Sequence, residues 1–120
     1  KIYEKSNCII LDAYNANPSS MTAILYSFAK QNYENKLCVL GDMLEIGETS
    51  LKEHQAIINL VNELKLESIL IGEEFSKINT TAYNRTDDFA AFLKKNPIKD
   101  KTILLKGSRG IALEKLAELL

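Results

Sequence analysis

Apolar positions in this chain fall into two alternating kinds of pattern. NCIIL (7–11), KLCVLG (36–41), SILIG (68–72) and TILLK (102–106) are short continuous apolar runs bounded by turn residues, the signature of strands buried on both faces. TTAY (80–83) reads as a weaker strand. Between the runs the spacing becomes helical. Met21, Ile24, Leu25 and Phe28 fall at i, i+3, i+4 and i+7, and Leu51, Ile57, Ile58, Val61 and Leu64 mark a second helical face. Phe89, Phe92 and Leu93 mark a third face, and Leu113, Leu116 and Leu120 a last one. A short polar or helical piece follows the third run. KIYE alternates, and Lys5-Ser6-Asn7 can turn it back as an antiparallel edge strand.

Helix starts can be read as well. Asn17-Pro18 pairs a capping side chain with proline at the first helical position. Ser50 with Glu53 forms a capping box, Thr86 caps a helix whose first turn holds Asp87 and Asp88, and Ser108 caps the last helix. All-apolar strands alternating with helices imply right-handed crossovers. The fold class expected is therefore α/β: a Rossmann-like, doubly wound, mostly parallel sheet of five to six strands with helices on both faces. With no linker, repeat or low-complexity segment, residues 1–120 read as a single domain.

Composition narrows the function classes. Fifteen Lys and Arg against sixteen Asp and Glu leave a net charge of −1, with no basic field to attract nucleic acid. No apolar run approaches the roughly 20 residues of a membrane span. Cys8 and Cys38 each lie in a strand-like run and read as two buried thiols, which suits a reducing compartment. The opening KIYEKSN has neither a signal-peptide core nor an initiator methionine, as expected of a piece of a longer protein.

In a doubly wound sheet ligands sit beyond the carboxyl ends of the strands, and polar residues concentrate there. DAYNANPSSM (12–21) follows the first run. Asn17 and Pro18 are explained as a helix start; Asp12, Tyr14 and Asn15 are not, and either decorate the rim or touch a ligand such as a ribose and base. GDMLEIGE (41–48) brings Asp42, Glu45 and Glu48 to a loop that is a solvated acidic turn or a seat for a substrate ammonium. It lacks the His or Cys of a transition-metal site. KGSRG (106–110) offers Lys106 and the planar fork of Arg109 at a helix start, an arrangement that favours an anion. The single histidine, His54, shares a face with Leu51 and Val61 and reads as packed and hydrogen-bonded rather than catalytic.

G-x-G-x-x-G and G-x-x-x-x-G-K-[ST] do not occur, so the chain has no phosphate-binding loop of its own. Taken together, DAYNANPSSM, LGDMLEIGETSLKEHQ and LLKGSRGIALEK resemble, in order and spacing, the C-terminal domain of bacterial Mur ligases. YNANP and GDM-x-E-x-G match the branch that uses D-alanyl-D-alanine. The likeness runs from Ile9 to Lys115.

This resemblance implies the third domain of a three-domain, cytoplasmic, ATP-dependent amide ligase of peptidoglycan synthesis. An N-terminal domain of the same polypeptide would hold a UDP-sugar tripeptide. A central ATPase domain would hold ATP and Mg2+, and the isolated third domain would need no cofactor. The tripeptide carboxyl would become an acyl phosphate, which the dipeptide amine then attacks. By the same resemblance Asp12, Tyr14 and Asn15 face the nucleotide, while Asp42, Glu45, Lys106, Ser108 and Arg109 face D-alanyl-D-alanine. Two alternatives are the equivalent domain of a folylpolyglutamate synthase-type ligase, against which YNANP argues, and a free-standing nucleotide or anion module.

Overall fold

The structure is a computed structural model that describes residues 2–4, 6–12 and 16–120. Four parallel strands form its sheet: β2 (Cys8–Asp12), β3 (Lys36–Gly41), β4 (Glu67–Ile71) and β5 (Thr102–Lys106). A short β1 (Ile2–Glu4) pairs antiparallel with β2, and the spatial order is β1-β2-β5-β3-β4. The α/β class and the parallel sheet read from the sequence are both present. Helices α1 (Pro18–Lys30), α2 (Ser50–Glu63), α3 (Glu73–Ile78) and α4 (Thr86–Lys95) fill the connections.

Strand side chains alternate between two cores, as a pleated ladder requires. Leu104, Cys38, Leu40 and Leu70 face α1, α2 and α3, where Met21, Leu25, Ile57, Val61 and Phe75 close the first core. Ile103, Leu105, Leu37, Val39 and Ile71 face the other way, against Phe89 and Leu93 of α4 and against Leu113 and Leu116. Two members of the expected apolar faces lie outside: Leu51 and Phe92 are exposed, one at the start of α2 and the other on the outer side of α4. Cys38 is buried and its thiol is pushed up to about 12 by that burial, so it is inert as a nucleophile. Cys8 is only half-buried, not enclosed as expected.

Two expected elements do not form. TTAY makes a turn, because the Asn79 side chain accepts from both the amide and the hydroxyl of Thr81 and holds the backbone out of the sheet. Only Tyr83 bridges to Ile71. The last helix is replaced by two 3-10 turns, Arg109–Ile111 and Leu113–Leu116, separated by Ala112 in the left-handed region at φ 59°. Leu113, Leu116 and Leu120 are nevertheless buried. The apolar spacing marked the right residues, and the left-handed step rotated them onto the sheet without a continuous helix.

Candidate functional site at the carboxyl rim of the sheet

The path of the chain defines where a ligand can enter. After β2 and β3 it crosses the sheet on the first-core face, through α1 and α2. It returns from β4 to β5 through α4 on the second-core face, and the segment after β5 packs there too. Strand β5 therefore lies between neighbours whose following segments leave on the opposite face. Such a reversal opens a crevice beyond the carboxyl ends of the strands. Asp12, Gly41-Asp42 and Lys106 to Ser108 meet at that place.

Asp12 and Lys106 are register partners on adjacent parallel strands. Both project toward the first-core face, and Lys106 Nζ lies 3.2 Å from Asp12 Oδ2. The burial is lopsided: the Lys106 side chain is 4% exposed and that of Asp12 is 41% exposed. A cation with so little water is held by its carboxylate partner. The carboxylate keeps an open side on which to accept a further hydrogen bond. Tyr14 and Asn15, the other residues expected to face a nucleotide, lie outside the described residues.

The strand ends approach closely because they are glycines. A Cβ on Gly107 would sit 2.9 Å from the Gly41 Cα, and one on Gly41 would meet Ile111 at 2.8 Å. Just beyond, Ser108 ties three loops together. Its amide donates to Asp42 O, its hydroxyl accepts from the Leu44 amide at 2.8 Å, and the same hydroxyl donates to Ala16 O at 3.3 Å. The expected role of Ser108 as a helix cap is corrected: only a three-residue 3-10 turn follows, with no side-chain cap. For the same reason the KGSRG segment presents no α-helix N-terminus to an anion. Arg109 and Glu45 are exposed on the rim, Glu45 at φ 62°.

Asp42 was expected to face a substrate, but its side chain turns inward. It is 2% exposed, and its two oxygens accept from the Glu74 and Phe75 amides at 2.8 and 3.0 Å, which caps α3. Burial raises its pKa above the ordinary 3.8 despite those two amides. Gly72 must be glycine on two counts, its φ of 136° and an Asp42 carboxyl carbon 2.1 Å from where a Cβ would be.

Beneath Asp42 lies His54, fully buried, with Nε2 accepting from the Met43 amide at 3.0 Å and Nδ1 2.7 Å from Ser50 O. A carbonyl only accepts, so the proton is on Nδ1 and the ring is neutral. The packed, hydrogen-bonded histidine read from the sequence is what the fold contains. Ser50 is not the expected cap of α2; it donates to Glu74 Oε1 at 2.6 Å. Thr86 likewise makes no cap for α4 and donates to Ile111 O.

Next to the rim, a cleft of about 360 Å³ opens between the first turn of α4 and residues 110–115. Glu73 and Asp87 line it together with Arg85 and Lys115, over a floor of Asp42, Ile71 and Gly72. This mixed lining suits a small zwitterion. Arg85 and Lys115 escaped the sequence reading because neither belongs to a rim motif; only the packing of α4 beside the chain's last turns brings them together. Among the described residues no group of three His, Cys, Asp or Glu side chains could hold a metal ion, and no helix is long and apolar enough to cross a membrane.

Comparison with known proteins agrees with this architecture. The UDP-N-acetylmuramoyl-tripeptide–D-alanyl-D-alanine ligase of Bacillus subtilis is 33% identical over 92% of this chain, and its namesake in Buchnera aphidicola is 37% identical over 98%. The chain spans only 27% of the length of each. A crystal structure of MurF from Acinetobacter baumannii superposes over 99% of this chain and 29% of its own, with a TM-score of 0.80 and 29% identity. MurF ligase from Thermotoga maritima in complex with ADP has the same fold, with a TM-score of 0.76 at 24% identity over 98% of this chain and 29% of that one. The family model described as "Mur ligase, glutamate ligase domain" matches residues 1–109. With the rim loops and the sheet order in place, the chain belongs to the Mur ligase family, as its glutamate ligase domain.

Proposed function

We propose that this chain is the third, C-terminal domain of a cytoplasmic ligase that joins D-alanyl-D-alanine to UDP-N-acetylmuramoyl-tripeptide in peptidoglycan synthesis. The observation that carries this reading is the meeting of Asp12, Lys106 and the Ser108-tied loops at the crevice of a chain whose relatives bear that ligase's name. N-terminal and central domains of the same polypeptide supply the UDP-substrate site and the ATPase site.

The rim fits a nucleotide only from one side. Asp12 has an open carboxylate edge suited to a ribose hydroxyl, with Tyr14 and Asn15 beside it in sequence, but the chain has no phosphate-binding loop. ATP and Mg2+ are therefore held mainly by the central domain, and the domain alone needs neither for folding. ATP supplies the phosphoryl group that activates the tripeptide carboxyl.

The chain's own residues place the nucleophile. Arg109 takes the dipeptide carboxylate with its planar fork, next to Lys106 and Ser108. Glu45 lies toward the ammonium end, and Asp42 supports that loop from below. The adjoining cleft, lined by Arg85, Lys115, Glu73 and Asp87, opens beside these residues. Catalysis here is positioning, with the amine brought to the activated carboxyl when the domains close.

The test is phosphate release by the full-length enzyme. Arg109→Ala should raise KM for D-alanyl-D-alanine by about tenfold or more, the scale of a lost charged hydrogen bond. Asp12→Ala should raise KM for ATP and lower kcat. Wild-type kinetics in both variants would remove these assignments, and a wild-type enzyme indifferent to D-alanyl-D-alanine would remove the function.

A further inference from the structure

His54 touches no solvent and stands outside the rim, yet its two ring nitrogens are spent on backbone groups flanking the rim loop. Four backbone groups of the rim loop are engaged around it. The Asp42 amide donates to Ile71 O, Asp42 O accepts from the Ser108 amide, the Met43 amide donates to His54, and the Leu44 amide donates to the Ser108 hydroxyl. Three consecutive residues are thereby fastened to β4, α2 and the segment after β5. The next residue, Glu45, takes a left-handed conformation (φ 62°) that is uncommon for a residue other than glycine. The imidazole packs edge-on against Phe75 at 4.7 Å, which fixes the ring plane and so the direction in which Nε2 accepts.

We propose that His54 is a positioning residue for the amino substrate: as a neutral acceptor it sets the Asp42–Leu44 backbone, and through it the placement of Glu45 and of the Ser108–Arg109 segment. This rests on the ligase reading of the rim. The charged groups near it are Asp42, whose Oδ1 is 3.8 Å from Nε2, and Glu74, joined to it through Ser50. Neither replaces the acceptor that the Met43 amide needs. Removing that acceptor leaves a buried donor unpaired, and the loop relieves this by moving.

The experiment uses the full-length enzyme with three substitutions. His54→Leu should raise KM for D-alanyl-D-alanine by about tenfold while leaving KM for ATP unchanged, since a small misplacement of a binding loop has effects of that order or larger. His54→Gln, whose side-chain oxygen can take the place of Nε2, should recover most of the loss. Phe28→Leu, in the first core at the far end of α1, should lower thermal stability without changing either KM. A wild-type dipeptide KM in His54→Leu overturns the proposal, and so does an equal rise in Phe28→Leu, which would reduce the effect to general softening. Amide hydrogen exchange gives a readout independent of turnover. Met43 and Leu44 should exchange faster in His54→Leu and not in Phe28→Leu. If the wild type proves not to use the dipeptide, the ligase reading fails, and unchanged exchange at Met43 would sink the positioning role separately.

Discussion

Asp42 shows how one side chain can be read correctly for its place and differently for its task. Its position at the end of an apolar strand marked it as a rim residue, and the rim is where it starts. Only the positive φ of Gly72 and the start of α3 turn the carboxylate inward. Burial raises its pKa from 3.8, and the Glu74 and Phe75 amides do not fully offset that rise. The folded state then binds the proton more tightly than the unfolded chain does. The resulting stabilisation is complete below 3.8 and is lost as pH rises through the folded value. Asp42→Asn, a permanently neutral analogue, has no such loss. Urea unfolding should find it weaker than the wild type at the acid end, because its NH2 group leaves one of the two amides without an acceptor, with the gap narrowing toward pH 7. Were the two amides the stronger influence, the gap of about 1–3 kcal/mol for an unpaired buried donor would instead widen as pH rises.

At the scale of elements, what could be read from the sequence depended on whether the signal was local. The strands from Lys36 and from Thr102 begin and end where their apolar runs do, and α1 begins at the Asn17-Pro18 start with Asn17 and Ser20 in a reciprocal capping box. Those signals need no partner. Ser50, Thr86 and Ser108 have the same cap-like appearance, but their hydroxyls go to Glu74, Ile111 and Leu44, contacts that only the assembled fold provides. The site divides in the same way. Residue types and rim location were legible; the pairing of Lys106 with Asp12, the inward turn of Asp42 and the Arg85–Lys115 cleft arise from packing between distant segments. The clearest consequence concerns Ser108, whose hydroxyl joins the loops after β2, β3 and β5. Ser108→Ala leaves the Leu44 amide without its acceptor and should lower unfolding free energy by about 1–3 kcal/mol. Ser108→Thr should keep the bond. Denaturant midpoints for the two variants, with exchange at the Leu44 amide, check the assignment.

The whole molecule is one sheet with two cores, and this makes a prediction about cooperativity. Leu25 sits in the first core and Leu93 in the second, each nearly or fully buried, and the sheet lies between them. Leu→Ala at either position removes buried volume and should cost about 2–5 kcal/mol. The strands themselves belong to both cores, since Leu104 faces one side and its neighbours Ile103 and Leu105 the other. Loss of either layer therefore exposes the face of a sheet that the other layer needs. Both variants should accordingly unfold in one transition, with coincident far-ultraviolet and fluorescence curves. The two sites lie in different cores on opposite faces of the sheet, so their costs should add to within about 0.5 kcal/mol in the double variant. Because that sum rivals the total stability of about 5–15 kcal/mol usual for a domain, it is best measured in a stabilising osmolyte. A double variant that unfolds in two steps would mean that the cores are separate units. The rim, which is built from the ends of strands common to both cores, would then lack the rigid base on which its loops depend.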